Sequence, residues 1–259
     1  MADVQMPLTA HLEELRWRLI KALAAIGLAF AGSYAFAEIL FAFLTEPLLA
    51  LNAGHGDAAP VHLIGTGVVE AFFTKIKVSL IAAIFVASPV LLYQVWQFVA
   101  PGLYANEKRY AKPFVFFGTF FFVSGAAFCY QLVLPVGYRF FIDQYATIRV
   151  SPEIRISEYL TFTARMLLAF GVTFELPVVT FFLARIGLVT GAMMLAYTRY
   201  AILAIFILAA MLTPGPDMAS QFLMAGPLLV LYALSIGVAF VFGRPKPGDD
   251  TPTTDVTTT

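Results

Sequence analysis

The run "LLAFGVTFELPVVTFFL", residues 167–183, is apolar almost throughout, yet it carries Glu175 with Pro177 two places later. An ionised carboxylate at the centre of a membrane helix costs about 2.5–3.5 kcal/mol on insertion scales. One explanation is a neutral carboxyl bonded to a backbone carbonyl that Pro177 leaves without its donor. The stronger one is functional, because intramembrane acids face a cavity, a partner helix or a proton route. Arg165 is ten residues earlier, about 15 Å along a helix. That is too far for an ion pair, and its long stem is expected to snorkel toward the outer surface.

Two more carboxylates flank apolar stretches near the membrane edge. "HLEELRWRL", residues 11–19, repeats Leu12, Leu15 and Leu19 on one helical face. Glu14 stands four residues before Arg18, a favourable helical pair worth about 0.3–0.5 kcal/mol. "APGLYANEKRYAKP", residues 100–113, ends one helix at Pro101-Gly102 and starts another, with Asn106 as a cap and Glu107 facing the helix dipole. Each acid has a structural role available. Together, beside Trp17, Phe98 and Tyr104, they form a receptor for paired guanidiniums followed by an apolar segment. Arginine fits such a site better than lysine because its planar fork bonds a carboxylate through two donors.

Other polar residues have simpler readings. "LTPGPDMASQ", residues 212–221, is a tight hairpin in which Asp217 caps the last helix. Thr213 and Gln221 add groups that can bond a neighbouring helix by about 1 kcal/mol. Cys129, alone in an apolar run, reads as a small buried hydrophobe. His11, His55 and His62 have no metal-ligand spacing. No phosphate loop and no nucleophile–base pair is present, so neither a cofactor nor an enzymatic activity is expected.

The elements that must position these groups are membrane helices. Of 259 residues, 60% are hydrophobic and 12% charged, about half the charged fraction of soluble domains; mean hydropathy is +0.84. The formal net charge is zero, which gives no reason to expect nucleic-acid binding. Arg16, Arg18 and Lys21 precede an apolar run reaching Ala35-Phe36-Ala37, a cleavage-like triplet. Asp3, Glu13 and Glu14 are unlike a basic leader, however, and the apolar run resumes after Glu38, so an uncleaved first span is expected.

Six spans are read, at 19–44, 69–100, 112–141, 159–183, 200–212 and 218–242. The last two are expected to form a short, shallow hairpin that thins the bilayer locally. Pro89, Pro135, Pro177 and Pro227 lie inside spans and are expected to kink them. With the N-terminus inside, ten Lys and Arg fall on the inner side and five on the outer, which favours both termini in the cytoplasm. Residues 1–243 read as one membrane domain and 244–259 as a disordered Pro/Thr-rich tail.

"HLEELRWRL", "EPLL" with Pro47, "YQVWQFVAPGLYANEKR", "FGVTFELP" and "LTPGPDMASQ" together resemble the TatC family, the multi-spanning receptor subunits of the twin-arginine protein translocase. They occur in the family's order, and the resemblance extends from about residue 8 to 243. It implies an all-α fold of six membrane helices curved like a cup, in the cell inner membrane. It implies a receptor that binds twin-arginine signal peptides of folded cargo, with no covalent chemistry and with energy from the proton-motive force. Glu14 and Glu107 match the family's arginine-binding carboxylates, and Arg16, Phe98 and Tyr104 match the same receptor surface. Glu175 matches an intramembrane glutamate thought to engage single-span TatA or TatB partners and to perturb the bilayer. Thr213 and Gln221 match a polar contact site for those partners, while Pro47 and Asp217 belong to the outer face. Assembly into a multimeric receptor complex is also implied. The alternative is a proton-coupled small-molecule transporter using Glu175, which would predict internal repeats that the sequence lacks.

Overall fold

The computed structural model describes residues 8–50, 62–99, 111–148, 150–213 and 218–243. The order is α1 (Leu8–Ala35), α2 (Ala37–Leu49), β1 (His62–Ile64), α3 (Glu70–Val99), α4 (Ala111–Phe128), a π-helical turn (Cys129–Val133), α5 (Leu134–Thr147), β2 (Glu153–Arg155), α6 (Ile156–Arg185), α7 (Gly191–Ala196), α8 (Thr198–Leu212) and α9 (Met218–Phe242). Among the described residues, five stretches are long and apolar enough to cross a membrane: Leu12–Ala35, Glu70–Phe98, Lys112–Tyr145, Ile156–Arg185 and Met218–Phe242. Helix α8 is apolar but has 15 residues, a reach of about 22 Å against about 30 Å of hydrocarbon.

The structure corrects two expectations about length. The run 19–44 is not one span: α1 ends at Ala35, Phe36 leaves the helical region at φ −107° and ψ 17°, and α2 starts at Ala37. Beyond the break, α2 buries Leu44, Thr45, Pro47 and Leu48. Nor are the last two helices both short. Helix α9 has 25 residues, because its apolar run continues past Pro227 without interruption.

Prolines are accommodated by neighbouring hydroxyls and by a change of helical register. Pro47 has no N–H for the Phe43 carbonyl four residues back, and Tyr130 donates its hydroxyl to that oxygen at 2.6 Å. Pro89 does the same to Phe85, whose carbonyl accepts from Ser88 Oγ at 2.7 Å. Before Pro135 the chain forms the π turn, in which the Leu134 N–H bonds to the Cys129 carbonyl. The wider register spreads the backbone where the Pro135 ring presses toward Gln131.

The helices pack as an open row. Helix α1 packs along α3, α3 on α4, α4 on α6, α6 on α9 and α9 on α8, with a further contact between α3 and α6. Helix α6 is the hub, and half of its most apolar window is buried, against 6% for α1. Two glycines bring α4 and α6 together. A Cβ on Gly125 would meet the Phe170 carbonyl at 2.7 Å, and one on Gly171 would meet the Phe122 ring at 2.9 Å. Such close approach is how membrane helices gain packing energy where lipid offers no hydrophobic drive between them. The core here centres on Phe170, Leu134, Leu160, Met166, Met224 and Leu228.

At one end of the row the connections are tied together. Strands β1 and β2 pair in parallel, with Leu63 opposite Ile154. The Glu70 carboxylate accepts from Thr66 N at 2.6 Å and Gly67 N at 3.1 Å, and from Ser157 N at 3.1 Å. One side chain thus caps the turn into α3 and the Ser157 N–H in the first turn of α6. Lys75 bonds Glu38 at 2.7 Å and holds that carboxyl below the usual carboxylate range. The same pair joins the start of α3 to the start of α2, three residues past the end of α1, and since α1 packs along α3 these two helices are antiparallel.

Candidate functional site

Two regions hold the residues singled out by the sequence. The first is the end of the row opposite β1 and β2. Because α1 and α3 are antiparallel, Glu14 and Arg16 near the start of α1 share this end with Phe98, one residue from the end of α3. Arg16 and Trp17 are exposed, Glu14 and Phe98 half-buried. Glu14 makes the expected helical pair: Arg18 Nε donates to Glu14 Oε1 at 3.1 Å, and Nη2 closes on the same oxygen. Glu107 and Tyr104, the other members of the expected pocket, lie outside the described residues, as do Asp217 and the tail 244–259.

The second region surrounds Glu175, which is 9% exposed. Neither carboxylate oxygen has a hydrogen-bond partner among the described residues. The bond to a carbonyl freed by Pro177 is therefore not formed. Space for the carboxylate comes from Gly118 on α4, where a Cβ would sit 3.2 Å from Glu175 Oε2 and 3.1 Å from Leu92 Cδ1. Thr119, the next residue, also buries a hydroxyl without a partner. Toward the Phe98 end lies an aromatic cluster, with Trp96 4.8 Å from Phe114 and Phe114 5.1 Å from Phe182 between ring centroids. An apolar cavity of about 410 Å³ opens beside Pro177, lined by Phe117, Phe121, Phe181 and Phe242 among others. An acid in this setting is a strong hydrogen-bonding group surrounded by surfaces that offer it nothing.

A match of 218 residues connects this arrangement with known proteins. The family profile described as Sec-independent protein translocase protein (TatC) matches residues 10–227. The chain belongs to the TatC family. It is 46% identical to Sec-independent protein translocase protein TatC of Desulforapulum autotrophicum, over 96% of this chain and 89% of that protein. Against the TatC of Helicobacter pylori strain J99 it is 43% identical, over 94% and 92%. A crystal structure of the twin arginine translocase receptor TatC superposes with a TM-score of 0.78 at 34% identity, covering 88% of this chain and 97% of that one. The protein is thus a multi-pass membrane component of the TatC protein-translocase family, and this membership does not favour the small-molecule transporter alternative.

The remaining expected residues sit within the fold as follows. Gln221 on α9 donates to the Phe206 carbonyl of α8 at 2.9 Å, so it bonds inside the α8–α9 hairpin. Thr213 is buried at the end of α8. Pro47 is buried in α2 beside the carbonyl that Tyr130 takes. Sequence reasoning missed Gly118, Thr119 and Glu70. The first two carried a signal in "FFGTFFF", where an isolated glycine in an aromatic helix marks close approach. The signal for Glu70 was an acid three residues after Gly67 at a helix start.

Proposed function

We propose that this chain is the receptor subunit of a twin-arginine translocase, binding consecutive signal-peptide arginines at its cytoplasmic face through Glu14 and Glu107. Arg16, Phe98 and Tyr104 complete that surface, and the peptide's apolar segment lies against the neighbouring aromatic residues. Both termini are cytoplasmic, the membrane is the inner one, and six helices cross it. Single-span TatA- or TatB-type partners dock near Glu175, Thr213 and Gln221. Export of folded cargo is then driven by the proton-motive force through a multimeric assembly of such receptors.

The observation that carries this reading is Glu14 beside the Phe98 end of α3, within a chain of the TatC family. The Arg18 pair does not block the site. Both Arg18 donors act on Oε1, which leaves Oε2 as an acceptor for an incoming guanidinium, and an i,i+4 helical pair is worth about 0.3–0.5 kcal/mol.

The test is binding of a twin-arginine signal peptide to the purified protein in nanodiscs, compared with a twin-lysine peptide and with Glu14→Ala and Glu107→Ala. Affinity is expected to fall about tenfold or more in each comparison. Equal binding throughout, by variants with unchanged thermal unfolding, would assign both acids to helix-end structure instead.

A further inference from the structure

Lys77 and Arg165 are two cations that the receptor reading does not use. Lys77 is exposed on α3, and its Nζ donates to Thr161 Oγ1 on α6 at 3.1 Å. Thr161 in turn donates to the Ser157 carbonyl at 2.6 Å, so its hydroxyl is fixed and draws the lysine toward α6. Arg165 follows Thr161 by four residues, one turn along the same side of α6, and is exposed. Among the described residues neither cation has a carboxylate partner. Their neighbours do: Lys75 pairs with Glu38, and Arg155 bonds Glu158. Glu158, on the same exposed stripe as Arg165, is two turns away, about 10 Å.

Depth narrows what can answer these charges. Lys77 is about 10 Å along α3 from its start and Arg165 about 14 Å along α6. A 30-residue helix is about 45 Å long and overhangs 30 Å of hydrocarbon by about 7 Å at each end if centred. Both heads thus reach the headgroup level of the leaflet on the β1–β2 side by extending back along their stems. Around and below them the surface is apolar and exposed, with Phe73 and Leu80 on α3 and Val172 on α6. A phosphate between a three-donor ammonium and a planar guanidinium, with acyl chains running past Leu80 and Val172, satisfies both requirements.

We infer that Lys77 and Arg165, with Thr161 between them, hold the phosphate of an anionic phospholipid in the leaflet on the β1–β2 side of the molecule. The inference is independent of the signal-peptide reading and needs only that the chain spans a bilayer.

The experiment delipidates the purified full chain in detergent, titrates it with phosphatidylglycerol and counts bound lipid by native mass spectrometry. One lipid is expected to bind, with apparent affinity falling at least about tenfold in the Lys77→Gln/Arg165→Gln double variant. Arg165→Lys is expected to keep most of the affinity, and Lys75→Gln all of it. Millimolar inorganic phosphate is expected to leave the lipid in place. Equal binding by the double variant, phosphatidylcholine binding as tightly as phosphatidylglycerol, or displacement by inorganic phosphate would overturn the assignment. So would a double variant that keeps its lipid but loses an acidic single-span helix on co-purification. If the double variant does not elute as a monodisperse species, Thr161→Val replaces it. That change leaves both charges and is expected to weaken binding measurably, and no change would again overturn the proposal.

Discussion

Glu175 and Glu14 are both carboxylates on membrane helices, yet their surroundings give them opposite properties. Glu14 has a partner one turn away, Arg18, which bonds its Oε1. Glu175 is buried with no partner among the described residues, in a space that exists because position 118 lacks a side chain. If Glu175 docks a partner helix, Glu175→Ala abolishes export by membrane vesicles while twin-arginine peptide affinity changes by less than about twofold, well under the tenfold of a lost charged contact. Gly118→Leu is expected to block export in the same way, since its side chain would occupy the carboxylate's place. Export at the unaltered rate in either variant, with normal protein levels, would remove Glu175 from the mechanism. The acid and its proline were legible in the sequence, because a charge in an apolar run stands out. Gly118 was not singled out, because which neighbour a glycine admits depends here on Glu175, 57 residues away on another helix.

At the scale of the elements, Pro47 is tied to a hydroxyl group 83 residues away in the chain. Tyr130 on the π turn satisfies the Phe43 carbonyl that Pro47 leaves open, and it stacks on the Phe43 ring at 4.4 Å. Removing that hydroxyl strands a carbonyl near membrane depth, so Tyr130→Phe is expected to destabilise the protein by about 1–3 kcal/mol. Pro47→Ala restores the helical N–H donor, so in that background Tyr130→Phe should cost clearly less. A double-mutant cycle on thermal unfolding in detergent measures the coupling, and strictly additive effects would refute the link. The helices were readable from hydropathy, within a few residues for α3, α6, α8 and α9. The break at Phe36 was not readable, because the apolar pattern continues through it.

For the whole molecule, the open row, the β1–β2 pair and the antiparallel α1 and α3 define two ends, and the positive charges favour the Glu14 end as the cytoplasmic one. Cys129 is fully buried, so the natural chain should be silent to a membrane-impermeant maleimide. Thr253→Cys, in the tail, is expected to label only after the inner membrane of spheroplasts is opened, and Ala58→Cys to label before. The reverse pattern would invert the proposed orientation. By itself the sequence determined that the chain lives in a bilayer, where most of its long apolar helices fall and which family it belongs to, because hydrophobic runs and dense local motifs are properties of contiguous residues. The tertiary structure alone decided the open order of the helices, the cap that Glu70 places on α6, the room that Gly118 makes for Glu175 and the meeting of Lys77 with Thr161. Each joins residues distant in the chain, and such meetings depend on how side chains fit between helices, which hydropathy does not encode.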